Sequence, residues 1–315
     1  MSWLALFLLI AAVMVAVSYI VETLRTPPPD PPAPGWLPEG AEYGFAEIDG
    51  RRVRRLRAGR GRPVVLLHTL RTQLDLFKDV IPDLARDFEV HAFDFPAHGY
   101  SEIAAGAYGP ERFLDATRAY LDWANVENAV IVGESIGGAI GLLLAAEAHP
   151  RVAKVVAVNS YDYDRGQGIL RGSTLSWLIF TLTRVPVLGA MVWRMRWLGI
   201  FALMIRASVH DPARLDDALV REMHDVGNRP GHYRAFIALI LDFPKWERLR
   251  RRYPKIKRPV DLVYGAHDWS RRAERDGNRT LIPGATLTEI ESSGHLMSFD
   301  APEAVIRAAR RAAED

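Results

Sequence analysis

The sequence contains no cysteine. Disulfides, thiolate metal sites and cysteine nucleophiles are thereby excluded. It also lacks an excess of either charge. Its 40 Lys and Arg stand against 38 Asp and Glu, for a formal net charge of +2 at pH 7. A balance this close to neutral gives no case for nucleic acid as a partner. There is no internal repeat, no metal-ligand spacing and no glycine loop that would cradle phosphate, so neither a metal nor another cofactor is implied. What is present is 315 residues, 49% apolar and 25% charged. That composition fills a sizeable core and suits one large domain, or one domain with an insertion.

Charge is missing most conspicuously from the N-terminus. Trp3 to Val21 is an apolar run broken only by Ser18 and Tyr19. As a helix it would be about 28 Å long, close to the thickness of a bilayer core. A secretory signal peptide normally has a basic start and a shorter apolar stretch, whereas Met1-Ser2 has no side-chain charge. The expectation is a single-pass membrane anchor over residues 1–25, with Ala16-Val17-Ser18 as the competing cleavage site. Arg25 and the run Arg51, Arg52, Arg54, Arg55 and Arg57 follow the span. The positive-inside rule then favours a cytoplasmic domain. Residues 26–38 are a proline-rich linker, and Thr26 to Pro34 reads as a semi-rigid spacer holding the domain off the membrane surface.

From residue 39 onward, strand and helix patterns alternate. Pro63–Leu67, Ala129–Val132, Val155–Val158 and Val260–Tyr264 are short apolar runs, as expected of buried parallel strands. Tyr43–Ile48, Val53–Leu56, Phe88–Phe93 and Thr286–Ile290 complete the set of strands. Glu111–Trp123, the Ala/Leu-rich stretch before Pro150 and Ala304–Ala313 have helical spacing. The fold class is α/β, a mainly parallel sheet flanked by helices. Residues of about 161–246 break the alternation with a helical stretch rich in Trp, Leu, Met and Arg. This is read as an insertion covering one end of the sheet.

Gly133-Glu134-Ser135-Ile136-Gly137 lies between a strand and a helix. A serine projecting from so sharp a turn crowds the backbone two positions before and two after it, where both residues are glycine. With this strand–turn–helix context, the chain resembles the α/β-hydrolase superfamily, specifically its serine-nucleophile members with a cap. The resemblance covers residues from about Glu42 to the C-terminus and implies the chain order serine, acid, histidine.

On that resemblance Ser135 is the nucleophile. His295, in Gly294-His295 after the last strand, is the base. Asp268, in Gly265-Ala266-His267-Asp268, is the orienting acid. Asp162 and Asp164 are its rivals, because some members draw the acid from the preceding strand's loop. The oxyanion hole would be the backbone N–H groups of Ile136 and Leu70. The loop supplying Leu70 reads His68-Thr69-Leu70 where the family usually has His-Gly-x, so Thr69 departs from the pattern. Serine rather than aspartate at the elbow disfavours the epoxide hydrolases and dehalogenases of the same fold.

The implied function is hydrolysis of a carboxylic ester, lipid esters included. The alternatives are a thioesterase, an acyltransferase, a cofactor-free haloperoxidase or a carbon–carbon bond hydrolase. A catalytically silent, membrane-tethered binding module is the reading from a different class. The implied partners are a small ester or lipid and, through the N-terminal helix, a membrane.

Overall fold

The computed structural model describes residues 2–314. Eight strands form one sheet in the order β1-β2-β4-β3-β5-β6-β7-β8. They are β1 (Glu42–Ile48), β2 (Arg51–Ala58), β3 (Pro63–Leu67), β4 (Glu89–Phe93), β5 (Ala129–Glu134), β6 (Val152–Val158), β7 (Val260–Gly265) and β8 (Thr286–Ile290). Asp49-Gly50, both at positive φ, turn β1 into β2 as a hairpin. β2 pairs antiparallel with β4, and every pairing from β4 to β8 is parallel. The parallel strands are apolar at successive positions because both faces are covered. Val65 and Leu67 of β3 enter one core, with α3 (Pro110–Trp123) and α4 (Ile136–Ala146). Val64 and Leu66 enter the other, with α2 (Ile81–Leu84) and α13 (Pro302–Glu314).

The insertion lies between β6 and β7. Its helices are α5 (Thr174–Leu182), α6 (Leu188–Met195), α7 (Leu198–Arg206), α8 (Asp217–Val226), α9 (His232–Leu241) and α10 (Phe243–Arg248). A 3-10 turn, Leu249–Lys255, continues beyond the expected boundary at residue 246. Two further helices, α11 (Arg272–Leu281) and α12 (Met297–Asp300), follow Asp268 and His295. α11 escapes a search for apolar periodicity because its sequence, RAERDGNRTL, has almost no apolar residues. Only Arg275 and Asn278 on it are buried.

Helix α1 (Trp3–Thr23) is one uninterrupted apolar helix, and most of it is exposed. Its C-terminal end, however, is docked on the cap. Arg194 Nε donates to Ser18 Oγ at 3.0 Å, Arg196 pairs with Glu22, and the Gly231 N–H donates to Glu22 Oε1 at 2.8 Å. Arg25 donates to the carbonyls of Arg194 (2.8 Å) and Met195 (3.1 Å). The linker likewise lies on the domain. Asp30 pairs with Arg52 at 2.6 Å, and Trp36 and Leu37 pack against the second core. Polar side chains that end an apolar helix need partners, and the cap supplies them.

Candidate active site

β5 ends at Glu134 and α4 begins at Ile136, which leaves Ser135 alone in the turn with φ 59° and ψ −115°. A side chain in this region is strained and persists only where its surroundings over-determine it. They do so here. The Ser135 N–H donates to Val158 O at 2.8 Å, and the Ser135 carbonyl accepts from the N–H groups of Ala139 and Tyr161, both at 3.1 Å. The flanking glycines are sterically required. A Cβ at Gly133 would lie 2.2 Å from Gly137 O, and one at Gly137 would lie 2.1 Å from Leu67 O.

Three side chains far apart in sequence converge at this turn. His295 Nε2 is 2.9 Å from Ser135 Oγ, and His295 Nδ1 is 2.5 Å from Asp268 Oδ1. A carboxylate can only accept, so Nδ1 carries the proton and Nε2 is left to accept from the serine hydroxyl. Burial would raise the Asp268 pKa. The facing imidazole and the two Ser270 donors, N–H and Oγ–H, outweigh burial and hold the carboxyl below its usual range. In this arrangement the imidazole can take a proton from Ser135 while Asp268 steadies the resulting imidazolium.

Asp162 and Asp164 lie elsewhere. Asp162 accepts from Ser160 Oγ (2.7 Å), Tyr253 OH (2.6 Å) and Asn278 Nδ2 (2.8 Å). Burial raises its pKa, although those same donors pull it down. Asp164 pairs with Arg171 at 2.6 Å.

Supporting residues emerge that sequence reasoning misses. Asn159, at the end of β6, donates to the carbonyls of Gly294 (3.0 Å) and His295 (2.9 Å), and accepts from the Gly265 N–H (2.8 Å). One amide thus ties together the loops that carry Asp268 and His295. Trp269 stacks on the His295 ring, with centroids 3.8 Å apart and planes within 11°. Asp268-Trp269 as adjacent residues was the only available signal for this contact.

The loop after β3 accommodates Thr69 through hydrogen bonds. Thr72 Oγ1 donates to Thr69 O (2.9 Å) and accepts from the Thr69 N–H (3.3 Å). His68 donates from Nδ1 to Thr69 O (2.8 Å) and accepts the Phe95 N–H at Nε2 (2.9 Å). Burial lowers its pKa to about 3, so the ring is neutral, as those bonds require. Among the described residues, the N–H groups of Leu70 and Ile136 have no protein acceptor. Leu70 and Ser135 both line the same cavity. Glu134, next to the serine, is held protonated up to about pH 8 by burial, and accepts from Ser298.

That cavity has a volume of about 220 Å³. Ser135 and His295 sit in its wall, and Leu175, Ile179, Trp193, Ile200 and Phe201 of the cap form much of the rest.

The family model for the alpha/beta hydrolase fold matches residues 62–187, which include the elbow and the loop after β3. The chain has the α/β-hydrolase fold. Among curated relatives of this chain is a dihydrolipoyllysine-residue acetyltransferase component of the acetoin cleaving system of Cupriavidus necator. It is 33% identical over 135 residues, 42% of this chain but only 36% of that protein's length. Esterase YbfF of Escherichia coli is 24% identical over 260 residues, 80% of this chain and 93% of the esterase. Among solved structures, wild-type Cfl2 from Burkholderia cenocepacia superposes with a TM-score of 0.77 at 20% identity. That superposition covers 91% of this chain and 99% of Cfl2.

Proposed function

We propose that this hydrolase is a serine esterase acting on carboxylic esters with an apolar acyl chain, anchored to a membrane by α1. The observation that carries the reading is the chain of contacts from Asp268 through His295 to Ser135, opening on an apolar cavity. Ser135 Oγ attacks the ester carbonyl as His295 takes its proton. The tetrahedral oxyanion forms beside the unengaged N–H groups of Ile136 and Leu70, each worth on the order of 3 kcal/mol if aligned. His295 returns the proton to the departing alcohol. Water, activated by the same imidazole, then releases the acid. The ester reading is further supported by the relationship to an esterase over most of its length. A fluorophosphonate probe is expected to add once to the full chain, with the adduct in the peptide containing Ser135. An adduct elsewhere, or none, overturns the reading.

The cavity's apolar wall sets an expectation for chain length. Each acyl methylene it buries adds about 0.8 kcal/mol to binding. From p-nitrophenyl acetate to octanoate, kcat/KM should rise by one to two orders of magnitude, measured below the micelle-forming concentration of each ester. A flat or falling series would replace the lipophilic substrate with a small or polar one.

The membrane anchor is supported by the length and exposure of α1. Apolar side chains on the cap, among them Trp177, Leu178, Trp197 and Leu203, are exposed as well. The full chain should stay with membranes through an alkaline carbonate wash. Deleting residues 1–34 should release it, but the cap then loses Ser18, Glu22 and Arg25, so the melting temperature should fall by several degrees. Release of the intact chain by the wash would make the attachment peripheral. A mature N-terminus near Tyr19 would make the segment a cleaved signal.

A further inference from the structure

The cavity in front of Ser135 holds two cations for which ester cleavage has no use. Arg71 follows the loop that carries Leu70, and Arg196 ends α6; both line the cavity wall. Arg71 Nη1 donates to Gly227 O at 3.0 Å and lies 3.5 Å from His232 Nδ1. Its guanidinium sits over the rings of Phe201 (4.7 Å) and Phe236 (5.4 Å). The charged groups acting on it are Arg196 and Arg25, both cations. Arg196 is buried, with its side chain only 2% exposed, and it uses Nη2 on Glu22. Its Nε and Nη1 are buried without a partner. Glu22 is shared again with Arg25, at 3.2 Å.

Two guanidinium groups, those of Arg25 and Arg196, therefore share one carboxylate, and among the described residues Arg71 beside them has none. His232 brings no relief, because burial, Arg71 and Arg196 keep its pKa well below the ordinary value and the ring neutral. Burial followed by mutual repulsion lowers the pKa of Arg71 to about 9, and burial followed by Arg25 lowers that of Arg196 to about 10. Both remain charged at neutral pH. Both also sit on left-handed backbone, with φ 59° at Arg71 and φ 38° at Arg196, a conformation that costs energy for any side chain. A half-buried Arg71 with no carboxylate partner and a buried, under-paired Arg196, both held on strained backbone, are what a binding site for the opposite charge requires. Guanidinium groups are suited to carboxylate and phosphate oxygens in particular.

We propose that Arg71 and Arg196 form an anion-binding subsite in the cavity wall, so that the ester presented to Ser135 carries a carboxylate or phosphate group beside its apolar chain. The inference builds on the esterase reading but is tested without turnover. Hexyl phosphate, hexanoate and hexanol share one chain and differ in the head group, and none is a carboxylic ester. Their binding to the full chain in nonionic detergent would be measured by calorimetry. At least one anion should bind tenfold or more tightly than hexanol, with an affinity that weakens as salt rises. Hexyl phosphate ahead of hexanoate assigns the group as phosphate; equal or reversed affinities assign it as carboxylate. Arg71→Gln should bring the preferred anion to within about threefold of hexanol, and Arg71→Lys should retain part of the preference. If hexanol binds wild-type protein as tightly as both anions, the subsite is overturned, and this comparison needs no variant to fold. Survival of the full preference in Arg71→Gln would overturn it equally. Loss of the subsite with Ser135 still labelled by a fluorophosphonate leaves the esterase reading standing. An unlabelled Ser135 with the anion preference intact removes the esterase reading alone.

Discussion

Replacing Ser135 with alanine is expected to lower kcat about 10⁶-fold, with the melting temperature changed by no more than a few degrees. The magnitude is that of losing a nucleophile whose partners act only through it. Stability should hold because the Ser135 side chain makes a single hydrogen bond, to His295. The turn is built from the backbone of Ser135 and from Gly133 and Gly137, which alanine leaves in place. Alanine bears the same φ of 59° at no greater cost than serine, since both have a Cβ. Kinetics on a p-nitrophenyl ester, paired with thermal melting, separate the two effects. Turnover within a hundredfold of wild type in a folded variant would mean that Ser135 is not the nucleophile.

Asp268→Asn should cost about 10⁴-fold in kcat. Asp268 presents Oδ1 to His295 and Oδ2 to the N–H and hydroxyl of Ser270. Three donors thus converge on two acceptor oxygens, and an amide has only one. If the amide oxygen stays with Ser270, its NH₂ faces Nδ1. The imidazole must then accept there and carry its proton on Nε2, pointing at the hydroxyl it should deprotonate. If the amide turns over, its NH₂ confronts the Ser270 donors and the loop shifts.

Asp162→Asn provides the contrast. Its partners are Ser160, Tyr253 and Asn278, none of them in the chain of contacts to Ser135. That substitution should lower the melting temperature and leave kcat within severalfold of wild type. The opposite pattern, with Asp268→Asn active and Asp162→Asn dead but folded, would transfer the role of the acid.

The elbow was legible in the sequence because its constraints are local. Five consecutive residues must fit one steric problem, and Gly133 and Gly137 solve it in a way that few other residues could. The parallel strands were legible for a similar reason, since burial on both faces leaves a run such as Pro63–Leu67 apolar throughout. His295 and Asp268 were found by their order along the chain and their place after strands, which the fold brings to the same edge of the sheet. Other features have no local signature. Asn159 is one more polar residue at a strand end until Gly294 and His295, 135 and 136 positions away, turn their carbonyls toward it. Arg196 and Glu22 are 174 positions apart, and each looks like an ordinary solvated charge in its own segment. Arg194 and Arg196 look like the other arginines that punctuate the insertion, yet both are buried against α1.

The docking of α1 on the cap also bears on how the chain is made. During synthesis α1 emerges first, while Arg194 and Arg196, on which Ser18 and Glu22 depend, are translated last among these partners. For the time needed to add those residues, on the order of ten seconds or more at ordinary translation speeds, the polar end of the helix has no native contact. A bilayer that receives the helix early would keep its apolar length from aggregating during that interval. The cap, in turn, can reach its final packing only once the helix is in place to receive it. With α1 as the proposed anchor, membrane insertion would then precede the last step of domain folding, and fusing the helix to the C-terminus instead should slow maturation even if every contact can still form.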